Sequence, residues 1–102
     1  MTTPEATLDR SLHAIADPTR RRILQTLKEH SASSSRKGAK NAGLCAGDIE
    51  EHIHLSQPTI SHHMAILTNA GLVEAVKQGQ WRWYRRSEPA LRKLLRTLRT
   101  KL

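Results

Sequence analysis

Ser56, Gln57, Thr59, Ser61 and His62 place five hydrogen-bonding side chains, none carrying a formal charge at neutral pH, on one short run of the chain. Side chains of this kind read base-pair edges. A glutamine amide can engage adenine with two bonds, serine and threonine hydroxyls donate to base edges or phosphates, and histidine donates to guanine or phosphate. The same run, Leu55 to Gly71, carries Ile60, Met64 and Leu67 at i, i+4 and i+7, an apolar stripe roughly opposite the polar set. A helix with an apolar back and a front of small hydrogen-bonding groups suits a DNA major groove. Both ends are marked. Ser56 is predicted as N-cap, its hydroxyl accepting from a free first-turn amide. Pro58 falls where amides lack intrahelical partners, and Gly71 can take the positive φ that ends a helix. Ser56 could equally serve as a cap alone, and His62 could be a solvated side chain. His63, beside Ile60 and Met64, is predicted to be a structural histidine bonded to backbone.

Around a predicted hairpin tip, Lys77, Gln80 and Arg82 are candidates for phosphate or minor-groove contact. Trp81, Trp83 and Tyr84 are all the aromatic residues present, and at least two of these rings are expected to close the core rather than stack on bases. His52-x-His54 follows the single Cys45. A loop and a helix end need not bring these three into one tetrahedral site, and solvated histidines with a small buried thiol account for the same residues. No metal site and no cofactor are therefore expected. There is no glycine-rich phosphate loop, no paired carboxylates with a base and no nucleophile in a recognisable setting, so no catalytic residues and no enzyme are predicted.

The elements that position these groups follow from punctuation and periodicity. A helix is predicted from Thr7, with Leu8, Leu12 and Ile15 on one face. Asp17-Pro18 caps and starts a second helix to about Lys28, burying Ile23, Leu24 and Leu27. Arg20-Arg21-Arg22 near its start is read as a solvated charge run. Residues 31–43 have no large aliphatic residue and are rich in Ser, Gly and Lys, which predicts a flexible basic loop. A short helix over Ala46–Ile53 and a tight turn at His54-Leu55 lead into the opening run, a helix-turn-helix arrangement. Strands over Leu72–Lys77 and Trp81–Arg86 form a hairpin wing. The last helix, about Glu88 to Leu102 with Ser87 as cap, carries Leu91, Leu94, Leu95, Leu98 and Leu102 as a stripe. The fold class is mainly α, a single winged helix-turn-helix domain over residues 1–102 with a two-stranded wing. The stripes on the first and last helices exceed what so small a core needs. They are assigned to a homodimer interface through Leu8, Leu12, Ile15, Leu91, Leu94, Leu95 and Leu98.

Charge supports a polyanionic partner: 17 Lys and Arg against 9 Asp and Glu give a formal net charge of +8. Its distribution is uneven. Residues 46–76 carry four acids and no Lys or Arg, whereas residues 77–102 carry nine basic residues and one acid. The proposed base-reading run can specify but hardly attract, and phosphate attraction falls to its neighbours. No apolar run approaches the ~20 residues of a membrane span. One cysteine fits a reducing compartment, so the expectation is a cytoplasmic protein bound to double-stranded DNA and not to a membrane.

Three stretches together resemble the ArsR/SmtB family of bacterial winged-helix repressors: Ala16-Asp17-Pro18-Thr19-Arg20-Arg21-Arg22-Ile23-Leu24, the run Leu55 to Gly71-Leu72-Val73, and Gly79-Gln80-Trp81-Arg82-Trp83-Tyr84-Arg85. The likeness covers about residues 8–100, and the Ser-x-His-His element followed by Ala-Gly-Leu-Val is its most specific part. The resemblance implies a repressor of its own promoter region that dimerises through the first and last helices and releases DNA when an effector binds. Metal sensors of the family often carry Glu-Leu-Cys-Val-Cys-Asp-Leu before the turn, where this chain has Gly43-Leu44-Cys45-Ala46-Gly47-Asp48-Ile49. One thiolate per chain is too few for a soft-metal site, and the last helix offers only Glu88 toward the family's other metal site. Arg86 also stands where an apolar residue is usual. The resulting expectation is a palindrome-binding homodimeric repressor of the non-metal branch, its effector unknown. The alternatives are a metal- or redox-responsive repressor sensing through Cys45 and nearby histidines, or a basic protein-interaction module built on the last helix.

Overall fold

In the computed structural model, which describes residues 4–30 and 43–102, five helices and three strands follow in the order α1 (Pro4–Ile15), α2 (Pro18–His30), β1 (Leu44–Cys45), α3 (Ala46–Ile53), α4 (Gln57–Asn69), β2 (Val73–Gln78), β3 (Trp81–Arg86) and α5 (Glu88–Lys101). The basic loop expected at 31–43 lies outside the described residues except for Gly43. No helix among them is long and apolar enough to cross a membrane.

The first helix begins at Pro4, three residues before the expected start, because proline is tolerated in a first turn and Glu5 favours the positive end of the helix dipole. The break at Asp17 is as predicted: its carboxylate accepts the Arg20 backbone N–H at 3.0 Å. The arginine run is a solvated face only in part: Arg21 and Arg22 are exposed. Arg20 is only 7% exposed, and its guanidinium donates to the carbonyls of Ala14 (2.6 Å) and His13 (3.1 Å). Arg21 donates to the Ile15 carbonyl at 2.6 Å, and Arg22 reaches the His52 carbonyl at 3.4 Å. The last carbonyls of a helix have no partners within it and carry the negative end of its dipole, so cations settle there. The three arginines clamp α2 to the C-terminal ends of α1 and α3.

The wing is a hairpin as expected, with a third strand added to it. The sheet order is β1-β3-β2, antiparallel throughout, with Leu44 opposite Tyr84, Cys45 opposite Trp83 and Lys77 opposite Arg82. Two-residue β1 is too short to leave a periodic trace in sequence. Gly43 permits it: φ is +92°, and a Cβ there would collide with the Tyr84 carbonyl oxygen. With β1 along one edge, the middle of β3 is covered on both faces. Trp83 packs with Cys45 on one side, and Tyr84 joins the main core on the other. Trp81 stays 44% exposed, tilted against Trp83 with ring centroids 6.3 Å apart. Two rings therefore close the interior, as expected.

The core itself is built from the predicted stripes. Ile23 and Leu27 of α2, Ile49 and Ile53 of α3, and Ile60, Met64 and Leu67 of α4 are all buried. Each such side chain contributes roughly 1.5–3 kcal/mol through removal from water. The α5 helix starts at Ser87, whose hydroxyl accepts from the Ala90 N–H at 3.3 Å. Arg86 is accommodated by its own polar partners, the Leu24 carbonyl at 3.4 Å and the Glu88 carboxylate at 3.0 Å.

Candidate nucleic-acid interface

A three-residue turn separates α3 from α4. His54 takes the left-handed conformation there (φ 61°), its N–H closing onto the Glu50 carbonyl at 2.8 Å. The chain is redirected without a glycine, and Ile53 before the turn and Ile60 after it both point into the core. At its far end α4 closes with the Gly71 N–H on the Thr68 carbonyl (2.9 Å) and the Leu72 N–H on the Leu67 carbonyl (3.1 Å). These are the two bonds of a Schellman turn, and Gly71 supplies the positive φ of 77° that the turn needs. Leu72 packs into the same core as Leu67.

With Ile60, Met64 and Leu67 essentially inaccessible, the opposite face of α4 is set outward. Gln57, Thr59, Ser61 and His62 are all exposed on it, together with Pro58 and Ala65. Ser56 occupies the N-cap position with extended backbone and accepts the Ile60 N–H on its carbonyl at 3.0 Å. Its hydroxyl does not cap, contrary to expectation. It pairs with the Thr59 hydroxyl at 2.9 Å, a partner one turn along the same exposed surface. One hydroxyl donates to the other, and the pair retains three lone pairs and one free proton for an incoming group.

His63 is half-buried, and its partner is not backbone: Nδ1 lies 3.2 Å from Nη1 of Arg20. A guanidinium has no acceptor, so Nδ1 takes the bond on its lone pair and the neutral ring carries its proton on Nε2. Burial holds the His63 pKa below the usual histidine value, opposed by the Asp17 carboxylate and reinforced by Arg20 and His62. The backbone hydrogen bond from Arg20 is the main cause that lowers the Asp17 pKa in turn. Arg20 thus links the end of α1 to the inner side of α4. The two residues are 43 apart in sequence, and no local pattern announces the contact.

Lys77, Gln80 and Arg82 are exposed at and beside the wing tip, where Gly79 turns the chain. Lys77 and Arg82 are direct cross-strand partners, and neither has a carboxylate in ion-pairing range among the described residues. Like charges in that register repel. The acid of the hairpin lies farther down, where Glu74 pairs with Arg85 at 2.8 Å. The tip is therefore a cationic point with no ion-paired acid among the described residues.

On the remaining faces, Leu8, Leu12, Ile15, Leu91 and Leu98 are half-buried, and Leu95 is 67% exposed. Leu94 instead turns into its own subunit's core at 8% exposure. Cys45 is buried, and both its N–H and its thiol donate to one Asp48 oxygen, at 3.1 and 3.2 Å. The spacing Cys45-x-x-Asp48 is that of a capping box, a legible signal that a search for metal ligands passes over. His52 stacks on His30 with centroids 4.2 Å apart. Among the described residues no three His, Cys, Asp or Glu side chains gather as metal ligands would.

Residues 39–75 match the family model described as bacterial regulatory protein, arsR family. Over 71 residues the chain is 41% identical to the transcriptional repressor SdpR of Bacillus subtilis (strain 168), covering 70% of this chain and 66% of that one. The uncharacterised HTH-type transcriptional regulator YbzH of the same organism is 34% identical over 92 residues, 87% of this chain and 92% of its own. Among solved structures, the ArsR-like transcriptional regulator from Rhodococcus sp. RHA1 superposes with a TM-score of 0.73 at 30% identity, covering 94% of this chain and 79% of that chain.

Proposed function

The chain belongs to the ArsR family of bacterial regulatory proteins and is a winged helix-turn-helix, DNA-binding transcriptional regulator; we propose that it represses transcription as a homodimer on a palindromic operator. The observation that carries this reading is the exposed, uncharged face of α4 flanked by the cationic wing tip. Gln57, Thr59, Ser61 and His62 enter the major groove and select the sequence, with Ser56 at the groove's edge. Lys77, Gln80 and Arg82 hold phosphates or the adjoining minor groove and supply attraction. Residues 1–102 act as one domain, and the basic stretch at 31–43 adds positive charge.

Pairing uses the outward leucines. Leu12, Ile15, Leu91, Leu95 and Leu98 form the seam, with Leu8 and Leu94 bracing it from within each subunit. A two-fold pair sets two α4 helices about 34 Å apart, one turn of DNA, and doubles the positive charge. The protein works in the cytoplasm as a regulator rather than an enzyme.

Gel shifts with DNA from its own upstream region and with scrambled DNA, each at several salt concentrations, test the reading. Cognate DNA is expected to bind more tightly at every salt, and both affinities fall steeply as salt rises because bound Lys and Arg release counterions. Equal affinity for both at every salt overturns sequence-specific reading.

A further inference from the structure

Between α1, the end of α4 and the first half of α5 lies a cavity of about 400 Å³. Leu8, Leu72, Ala90 and Leu94 make its walls apolar, and four polar side chains interrupt them, Thr7, Ser11, Lys93 and Thr97. Ser11 is only 5% exposed, and among the described residues no partner takes its hydroxyl or the Lys93 ammonium. Ser11 is buried as a residue, but its hydroxyl oxygen is not among the sealed, unpaired polar atoms, so it is open to whatever fills the cavity. The surroundings are cationic: α5 also carries Arg92, Arg96 and Arg99, and its single acid, Glu88, is taken by Arg86.

The cavity adjoins the proposed seam through Leu8 and Leu94 but opens on another face of α5. Ala90, Lys93, Leu94 and Thr97 of α5 line it, at i, i+3, i+4 and i+7. Leu91, Leu95 and Leu98 each follow one of these by a single residue and so face about 100° away around the helix.

We propose that this cavity binds a small organic anion with an apolar body. The carboxylate lies against Lys93 and Ser11, and the hydrocarbon rests on Leu8, Leu72 and Leu94. At the lower end of the ~300–1,000 Å³ usual for ligand pockets, the volume suits a medium-chain monocarboxylate. Ala70, Gly71 and Leu72, the turn that closes α4 and opens the wing, form part of the wall, so occupancy is linked to DNA affinity. That linkage rests on the DNA reading above; binding of the anion does not.

The test uses octanoate as probe and 1-octanol as its uncharged counterpart, each displacing the fluorescent dye anilinonaphthalene sulfonate from the full chain. Octanoate is expected to displace the dye at about tenfold lower concentration than octanol, with Lys93→Gln erasing the difference. Ser11→Leu fills the cavity and abolishes displaceable dye binding; Ala90→Leu fills it from the other side should Ser11→Leu fail to fold. Equal displacement by acid and alcohol, or an octanoate advantage that survives Lys93→Gln, overturns the site. So does an octanoate-induced change in elution volume, which would place the probe in the seam. Gel shifts form the second arm: octanoate is expected to weaken DNA binding about fivefold or more in the wild type and not in Lys93→Gln. Octanoate binding with unchanged DNA affinity overturns the linkage alone, whereas a protein that never shifts DNA overturns the DNA reading instead.

Discussion

The reading helix and the wing solve opposite problems. On α4, three buried side chains fix the orientation and the outward face carries no charge. On the hairpin, Trp83 and Tyr84 anchor the middle of β3, and the tip presents Lys77 and Arg82 with no ion-paired acid among the described residues. Position is costly to specify and cheap to hold once packed, whereas attraction acts over a Debye length of roughly 8–10 Å and tolerates loose geometry. On the proposed reading, selectivity falls to the rigid element and affinity to the element that ends in solvent.

The largest expected effect removes the seat of the reading helix. Leu67→Ala should cost about 2–5 kcal/mol of folding stability in urea titration, since it leaves a cavity under α4. A loss under 1 kcal/mol would mean that α4 is not held by its buried stripe. Next comes Arg20→Ala, which strands the Ala14 and His13 carbonyls and the His63 lone pair. About 2–3 kcal/mol is expected, with little recovery in Arg20→Lys, because an ammonium cannot reproduce the planar fork. Recovery by lysine would reduce Arg20 to a point charge.

Smaller effects separate the two regions directly. Gln57→Ala or His62→Ala should lose ~1–3 kcal/mol of discrimination between cognate and scrambled DNA and leave the scrambled affinity in place. Arg82→Ala should weaken both alike and lower the salt slope by about one. A cognate-only loss in Arg82→Ala, or a uniform loss in Gln57→Ala, would exchange the roles given to wing and helix.

The smallest is a pH effect on the inner side of α4. The folded His63 pKa lies below the usual 6.5, so the folded state favours the neutral ring. Stability from this site is complete above pH 6.5 and is lost as pH falls through the lowered value, because the unfolded chain takes up the proton first. Melting temperatures followed from pH 8 to pH 5 should fall more in the wild type than in His63→Gln, which does not titrate. Parallel curves would remove His63 from the acid response.

Much of this was legible because the sequence punctuates itself. Asp17-Pro18, Ser87 and Gly71 mark helix ends whose backbone groups need those residue types, and α3 and β3 fall on the residues predicted for them. The outward set on α4 was legible for the same reason that its buried set was, since one periodicity defines both. What escaped was contact between distant segments. An arginine run carries no sign that the carbonyl ends of two other helices lie beside it. A two-residue strand has no period, and the choice of the Ser56 hydroxyl between an amide and Thr59 is a matter of fractions of an ångström.

Leu72 has a further consequence. Its N–H ends the reading helix on Leu67, its carbonyl accepts the Ser87 N–H at 2.9 Å where α5 begins, and β2 starts at the next residue. One buried residue is thus bonded both to the end of α4 and to the start of α5 and adjoins β2, and none of the outward residues of α4 takes part in those bonds. Gln57, Ser61 and His62 are free to change without disturbing the frame. On the proposed reading, substitutions on that outward face change the operator while those backbone bonds stay in place.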